Sequence, residues 1–144
     1  MDLGLGRVSR VLERLALPSA PTVLHVAGTN GKGSSVAMLE ALLRPTDACV
    51  GSYTSPHILR FNERICVDGR DACDAEIVAA LERVEAVRDG EELTYFEFGT
   101  LAALVLFAEV GADVLLLEIG LGGRLDAVNA VEPTAGLITN IGLD

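Results

Sequence analysis

The chain has 144 residues, of which half are apolar and only 4% aromatic, and a formal net charge of −10 at neutral pH. This balance argues against a nucleic-acid surface, which needs clustered Lys and Arg, and no apolar run reaches the roughly 18 residues that would indicate a membrane span. Three cysteines without metal-ligand spacing are expected as free thiols in the reducing cytoplasm rather than as disulfides or a zinc site.

The first half of the chain is predicted to alternate helices and strands, because apolar residues recur first at helical and then at strand spacing. In chain order, the predicted elements are a helix at 8–17, a strand at 22–26, a glycine-rich loop at 28–33, a helix at 34–43, a strand at 49–53 and a loop at 54–62. The inward-facing side chains of the second helix are predicted to be Met38, Leu39, Leu42 and Leu43.

The second half continues the alternation. In chain order, it is predicted to contain a hairpin around 64–69, helices at 74–88 and 95–110, a buried aliphatic strand at 113–119 and a final strand at 135–141. Thr94 and Glu97 form a capping-box signature for the second of these helices. Alternating strands and helices predict an α/β fold in which helices flank a mainly parallel sheet. Ligands bind at the carboxyl ends of the strands in such folds.

The glycine loop carries the strongest chemical signal. It lies between a predicted strand and a predicted helix, where backbone N–H groups, the helix N-terminus and the Lys32 amine can surround a phosphate. The residues predicted to bind the triphosphate of ATP are Gly28, Thr29, Asn30, Gly31, Lys32, Gly33 and Ser34. The spacing departs from the common P-loop, because Gly33 follows the lysine where Ser or Thr is usual. A turn in which the glycines serve geometry alone is the alternative.

Two further strand exits supply oxygen ligands. Glu118 ends the aliphatic strand at the position where P-loop proteins hold magnesium, although an acid could also stand there because the strand is reaching solvent. Thr54 and Ser55 follow the second strand, and a hydroxyl there could provide the magnesium ligand that Gly33 cannot, with the Ser34 hydroxyl as the alternative. Turn chemistry alone also explains Thr-Ser-Pro. Because all three loops leave strands at one edge, the sequence predicts one shared site.

Five blocks in order resemble the folylpolyglutamate synthase and dihydrofolate synthase family, which belongs to the Mur ligase superfamily. They are GTNGKGS at 28–34, YTSPH at 53–57, RFNERI at 60–65, TYFE at 94–97 and EIGLGGRLDAVN at 118–129. The resemblance covers essentially the whole chain, and it implies a P-loop-type, Mur-ligase-like ATPase domain. It also implies that ATP phosphorylates a substrate carboxylate and that glutamate then attacks the acyl phosphate to form an amide.

The same resemblance implies site residues. Lys32 is similar to the family's catalytic phosphate contact, and Ser55 and Glu118 look like its Mg²⁺ ligands. The segments that resemble the dihydropteroate site are Thr94, Tyr95, Phe96 and Glu97, and Leu125, Asp126 and Ala127. The opening 2–5 resembles another substrate-proximal stretch. Each role has a simpler alternative: Thr94 and Glu97 as a helix cap, Phe96 as core, Asp126 as a turn cap, and 62–64 as a surface loop, with His57 shaping its own loop.

Family members continue well beyond the length of this chain, with a histidine magnesium ligand, a carbamylated lysine and a second domain. Residues 1–144 are therefore expected to be the amino-terminal part of the ATP-binding domain, without the carboxy-terminal domain, and to be inactive alone. The expected partners are small molecules, namely dihydropteroate, folates and L-glutamate, bound by a monomer without nucleic acid or membrane. A Mur-type peptidoglycan ligase and a nucleotide-binding module without ligase activity are the alternatives.

Overall fold

A computed structural model of the chain describes residues 5–20, 22–120 and 123–143. In chain order, its helices and strands are α1 (Leu5–Leu15), β1 (Thr22–Ala27), α2 (Lys32–Leu43), β2 (Val50–Tyr53), β3 (Ile65–Val67), β4 (Arg70–Asp71), α3 (Asp74–Val87), α4 (Tyr95–Glu109), β5 (Val114–Glu118) and β6 (Ala135–Ile138). Short 3₁₀ turns cover Phe61–Arg64, Gly123–Leu125 and Ala127–Ala130. The predicted order of elements is confirmed, and β6 is shorter than expected.

The six strands that the described residues contain form one sheet in the order β4-β3-β2-β5-β1-β6. The pairs β2–β5, β5–β1 and β1–β6 are parallel, whereas the β2–β3–β4 hairpin region is antiparallel. The mainly parallel sheet is therefore confirmed. Because β5 lies between β1 and β2, the carboxyl ends of these three strands are neighbours, and Val26 of β1 lies opposite Glu118 of β5.

One face of the sheet carries the main core. Helix α4 is buried along nearly its whole length, from Gly99 to Phe107, because its aliphatic side chains contact the sheet on one side and α1 and α3 on the other. Gly51 of β2 lets it come close, since a Cβ on this residue would lie 2.5 Å from the Phe107 ring. This layer fixes β2 and β5, and with them the loops that follow these strands.

The inward face of α2 was predicted correctly for two of the four named residues and wrongly for the other two. Met38 and Leu42 are 66% and 73% exposed, whereas Val36 is the buried residue and Leu39 and Leu43 are partly buried beside it. The helix begins two residues before the predicted start, and its Val36–Leu39–Leu43 stripe faces the sheet at the spacing of three and four residues. Four leucine and methionine residues in two adjacent pairs left the choice of face ambiguous in the sequence.

Parts of some predictions lie outside the described residues: the opening stretch 2–4, positions 121 and 122 of the EIGLGGRLDAVN block, and position 144. Within the described part, none of the helices combines the length and apolarity that a membrane crossing would require.

Candidate active site

The glycine loop connects the end of β1 to the start of α2. Gly28 and Gly31 adopt positive φ angles of 136° and 79°, which residues other than glycine rarely adopt. Gly31 is the N-cap of α2 and has no side chain with which to cap it. The first N–H groups of α2, at Lys32, Gly33 and Ser34, therefore face the loop at the positive end of the helix dipole. This is an anion-binding arrangement.

The Lys32 amine bends back over this loop and donates a hydrogen bond to the Gly28 carbonyl at 2.8 Å. A single contact to a backbone carbonyl holds the amine close to the loop without neutralising its charge. The amine is thus placed to exchange the carbonyl for a phosphate oxygen, which forms a stronger, charge-assisted contact.

A fourth strand exit, which sequence analysis did not include, supports the loop. Asn140, beyond β6, accepts hydrogen bonds from the Thr29 and Asn30 N–H groups, at 2.9 Å each, through its carbonyl and side-chain oxygens. Thr139 donates its hydroxyl to the Asn30 carbonyl at 2.5 Å. A Cβ on Gly28 would lie 2.0 Å from the Thr139 hydroxyl oxygen. The carboxyl-edge rule that identified the other three loops also points to this one.

Glu118 lies beside both of the other predicted phosphate-site elements. Its Oε2 accepts the Ser55 N–H at 3.4 Å and lies 4.0 Å from where a Cβ on Gly33 would stand. The carboxylate is only 5% exposed. Burial raises the pKa of Glu118 above its ordinary value, and the Ser55 N–H and the Lys32 charge act in the opposite direction. The structure therefore brings the glycine loop, Ser55 and Glu118 to one place.

This cluster fits a hard divalent cation by the chemistry of its donors. A carboxylate and a neighbouring hydroxyl are oxygen ligands, and Mg²⁺ is usually held by one or two carboxylates together with substrate phosphates and water. A groove of about 510 Å³ opens beside it, with Gly33, Ser55 and Glu118 in its lining. Among the residues with described positions, no group of three or more His, Cys, Asp and Glu side chains forms a metal cage.

Gly120 joins the cluster to one part of the predicted pterin site. A Cβ on Gly120 would lie 2.9 Å from Ser55 Oγ and 3.2 Å from the Phe96 ring. The Gly120 N–H donates to Asp126 Oδ2 at 2.7 Å, while Asp126 Oδ1 accepts the Val128 N–H at 2.9 Å. Gly120 thus has Phe96 and the Ser55 hydroxyl close to its Cα and the Asp126 carboxylate on its N–H.

Thr94 and Glu97 form the expected capping box. The Glu97 N–H donates to Thr94 Oγ1 at 3.2 Å, and the Thr94 N–H donates to Glu97 Oε2 at 2.9 Å. Arg7 of α1, which sequence analysis did not connect with this site, donates to both carboxylate oxygens of Glu97 at 2.8 Å. The buried Glu97 carboxylate therefore links α1 to the start of α4.

Three of the predicted substrate residues are arranged differently. Tyr95 is 67% exposed and packs edge-on against Phe61, with ring centroids 5.8 Å apart. Leu125 is also largely exposed, whereas Ala127 is buried in the main core. The structure thus places Tyr95 apart from the contacts that Phe96 and Asp126 make around Gly120.

The loop after β2 is more ordered than a generic surface loop. Glu63 accepts the N–H groups of Leu59 and Arg60 at 2.7 and 2.6 Å. Arg64 donates its Nε–H to His57 Nδ1 at 2.8 Å, and its guanidinium lies 5.5 Å from the centre of the Phe61 ring. His57 therefore shapes its loop, as the sequence suggested. The surface-loop alternative for 62–64 missed these contacts, because only the Arg60–Glu63 contact has the fixed spacing of a capping box.

A glycine loop between β1 and α2, an acid at the end of the adjacent β5 and a mainly parallel sheet with helices on both faces define an α/β domain of the P-loop type. Comparison with known proteins narrows this class. The chain is 48% identical over 145 residues to the dihydrofolate synthase/folylpolyglutamate synthase of Escherichia coli K12, with 100% of this chain and 34% of the relative covered. No family model matches the chain.

Solved structures agree. E. coli FolC in complex with DHPP and ADP superposes with a TM-score of 0.95 at 48% identity, over 100% of this chain and 35% of that one. A bifunctional folylpolyglutamate synthase/dihydrofolate synthase with Mn, AMPPNP and L-glutamate bound superposes with a TM-score of 0.95 at 50% identity. The match covers 100% of this chain and 36% of that one. The chain belongs to the dihydrofolate synthase/folylpolyglutamate synthase family, and it spans about a third of the length of these relatives.

Proposed function

We propose that this chain is the amino-terminal part of the ATP-binding domain of a ligase that adds L-glutamate to dihydropteroate, folates or both. The observation that carries the proposal is the meeting of the glycine loop, Ser55 and Glu118 at one edge of the sheet. Relatives that share this fold bind ADP with DHPP, or AMPPNP with Mn and L-glutamate. These ligands are the nucleotide, metal and substrates that such a reaction needs.

In the proposed reaction, the first N–H groups of α2 and the Lys32 amine bind the phosphates of ATP and hold the terminal phosphoryl group for transfer to a substrate carboxylate. Lys32 stabilises the negative charge that this group carries during transfer. Mg²⁺, held by Ser55 and Glu118, would supply further charge neutralisation when bound. The amine of glutamate then attacks the acyl phosphate, releases phosphate and forms the amide.

The substrate contacts follow from the corner at Gly120. Phe96 lies beside Ser55 at this corner and offers an aromatic face to a flat heterocycle. Asp126 holds the backbone of the corner through the Gly120 and Val128 N–H groups. Thr94 and Glu97 support this surface through the capping box and Arg7. Leu125 and Ala127 flank Asp126, and Tyr95 would reach substrate only from the side of Phe61. We assign dihydropteroate to this corner.

The same proposal places the enzyme in the cytoplasm as a monomer that acts on small molecules without nucleic acid or membrane. The three free cysteines support the cytoplasmic location. The net charge of −10 supports the absence of nucleic acid, because it repels the phosphate backbone. Residues 1–144 alone are proposed to bind nucleotide but not to turn over, because the relatives place about two thirds of their length outside the matched region.

The decisive experiment replaces the matched region of the E. coli relative by this chain and assays the resulting chimera. We expect glutamate addition to dihydropteroate that depends on ATP and Mg²⁺, with ADP and phosphate released in equal amounts. A chimera carrying Lys32→Ala is the matched control and should lose turnover. A folded chimera that binds ATP without turnover would favour the binding module, and turnover only with a nucleotide-sugar acid would favour a peptidoglycan ligase.

A further inference from the structure

Arg64 is hydrogen-bonded to the loop after β2 on both sides of Ser55. Its backbone carbonyl accepts the Thr54 N–H at 2.9 Å, and its Nε–H donates to His57 Nδ1 at 2.8 Å. The first contact continues the pairing of β2 with β3 and needs no particular side chain. The second contact depends on the guanidinium, because it requires an N–H donor far from the backbone. The Arg64 side chain therefore holds the loop on the far side of Ser55.

The guanidinium of Arg64 also packs on two aromatic rings that belong to different elements. Its central carbon lies 5.5 Å from the centre of the Phe61 ring and 5.8 Å from the centre of the Tyr95 ring, within the range of a cation–π contact. The two rings meet edge-on, with centroids 5.8 Å apart. Phe61 follows the loop that carries Ser55, whereas Tyr95 is the first residue of α4. One side chain thus connects that loop with the start of α4.

The start of α4 is a fixed point in the fold, whereas the loop after β2 is not. Thr94 and Glu97 form a capping box there, and Arg7 of α1 donates two hydrogen bonds to the Glu97 carboxylate. In the loop, Ile58 and Leu59 are 87% and 85% exposed, so its tip adds little apolar packing. Contact with α4 therefore restrains a segment that its own packing does not.

We propose that Arg64 is a positioning residue that holds the Ser55 hydroxyl at the candidate metal site by fixing the loop after β2 against α4. Ser55 contributes only a weak contact to its own placement, because its N–H lies 3.4 Å from Glu118 Oε2. Mg²⁺ demands nearly ideal octahedral geometry, so a ligand for it must keep a constant position. Tyr95 supports the loop in this arrangement, which explains why its ring lies apart from the other predicted substrate residues.

Amide hydrogen exchange of the 144-residue chain without ligand measures this restraint directly. Arg64→Met keeps a long unbranched side chain but removes the donor and the charge. The Thr54 and Ser55 amides should then exchange roughly tenfold faster, since the lost hydrogen bond and cation–π contacts are each worth about this factor. The β5 amides of Leu116 and Leu117 report global unfolding and should stay constant. Unchanged exchange at Thr54 and Ser55 would overturn the proposal, and so would equal acceleration at all four amides.

Arg60→Met is the matched control for the loss of charge. It removes the same donors from the same loop, but Arg60 pairs at the surface with Asp74 at 3.1 Å. Exchange at Ser55 should remain as in the unmodified chain. If Arg60→Met accelerates it as much as Arg64→Met does, the loss of a positive charge causes the effect and the proposal is wrong.

Tyr95→Leu tests the connection through α4. Tyr95 is 67% exposed, so the variant should fold, and the loss of one ring contact should accelerate exchange at Ser55 roughly threefold. Because this effect passes through the guanidinium, the double variant with Arg64→Met should exchange no faster than Arg64→Met alone. Additive acceleration would show that Tyr95 acts on the loop without Arg64, which contradicts the proposal.

The consequence for Mg²⁺ rests on the proposed function and is measured in the chimera. Arg64→Met should raise the Mg²⁺ concentration for half-maximal turnover roughly tenfold, as for other residues that orient a metal ligand, and leave the KM for dihydropteroate unchanged. A merely structural role would lower kcat at every Mg²⁺ concentration. If the Ser55 amide responds and the Mg²⁺ requirement does not, the positioning stands and the assignment of Mg²⁺ to Ser55 fails.

Discussion

On one face of the sheet, α1, α3 and α4 pack a continuous apolar cluster around buried residues such as Leu101 and Phe107, whereas on the other face α2 shields a cluster of only four buried side chains among the described residues. Those four are Val26, Val36, Val50 and Leu116. The first face supplies most of the apolar burial and hence most of the stability. The second carries the glycine loop and the groove beside Glu118. The difference separates folding from chemistry within one small domain.

The polar character of the sheet face that α2 covers has a local cause. Glu40 of α2 faces the sheet and accepts the Ser52 hydroxyl, and together with Ser55 and Glu118 it lines the groove beside α2. A carboxylate at this position keeps water near the helix and limits the apolar contact that α2 can make. The glycine loop is thus held mainly by hydrogen bonds with the segment after β6 and less by apolar packing.

The largest expected effect tests how much the face covered by α1, α3 and α4 contributes to stability. Leu101→Ala should lower the free energy of unfolding by about 3 kcal/mol, because Leu101 is fully buried in α4 and its removal leaves a cavity. Leu42→Ala on α2 makes the same chemical change at a residue that is 73% exposed, and it should cost less than about 0.5 kcal/mol. Urea unfolding of both variants measures the difference. Equal losses would contradict the contrast between the two faces.

The second prediction tests the chemistry of the face that α2 covers. Lys32→Ala should weaken ATP binding roughly 10- to 100-fold, since a hydrogen bond to a charged group contributes about 1.5–3 kcal/mol. Stability should change little, because the amine makes one contact with the Gly28 carbonyl. Arg83→Ala removes an equal charge from α3, where Arg83 pairs with Glu109 at the surface, and should leave ATP affinity unchanged. Calorimetric titration distinguishes the phosphate contact from a general effect of charge.

The third prediction concerns the support of the glycine loop. Gly28→Ala combines a positive φ with a Cβ that would overlap the Thr139 hydroxyl, whereas a Cβ at Gly31 meets nothing within 4 Å. We expect Gly31→Ala to cost about 1 kcal/mol through its left-handed conformation alone, and Gly28→Ala to cost more and to weaken ATP binding. Thermal unfolding and ATP titration of both variants provide the comparison. Similar losses would show that the Thr139 contact contributes nothing to the loop.

The smallest expected effect concerns Glu118. Burial raises the folded-state pKa of Glu118 because it disfavours the charged carboxylate. The protonated group therefore stabilises the folded chain fully below the unfolded-state pKa, and this stabilisation is lost as pH rises through the folded-state pKa. Glu118→Gln should therefore stabilise the chain slightly at pH 7, by an amount that shrinks toward pH 4. The same variant should weaken ATP binding that depends on Mg²⁺. A variant that loses both stability and binding would indicate a structural role only.

Much of the fold could be predicted from the sequence, because its signals are local. The capping box at Thr94 and Glu97 marks the start of α4, the aliphatic run to Glu118 marks a buried strand, and Gly28 to Ser34 mark a strand–loop–helix turn. The face of α2 shows the limit. Period alone could not decide which member of each adjacent apolar pair meets the sheet, since the face covered by α2 has too little core to require all of them.

The parts of the candidate site that sequence reasoning missed involve residues far apart in the chain. Arg7 meets Glu97 across 90 positions, and Asn140 meets Asn30 across 110. A carboxylate that caps its own helix gives no sign that an arginine of another helix also binds it. The carboxyl-edge rule did not reach Asn140, because the last strand was predicted to extend to 141, whereas β6 ends at Ile138 and leaves Asn140 in the loop that follows it.

Within residues 5–20, 22–120 and 123–143, strand β6 forms one end of the sheet, and all four of its residues are exposed. An unpaired strand edge offers a row of N–H and C=O groups to any other extended chain, and Ile138 and Ile141 add exposed apolar surface beside it. We therefore expect the purified 144 residues to self-associate as their concentration rises, and a short peptide with matching hydrogen-bond register to suppress this. For handling the protein, dilute solutions and a charged substitution at Ile138 are the practical remedy.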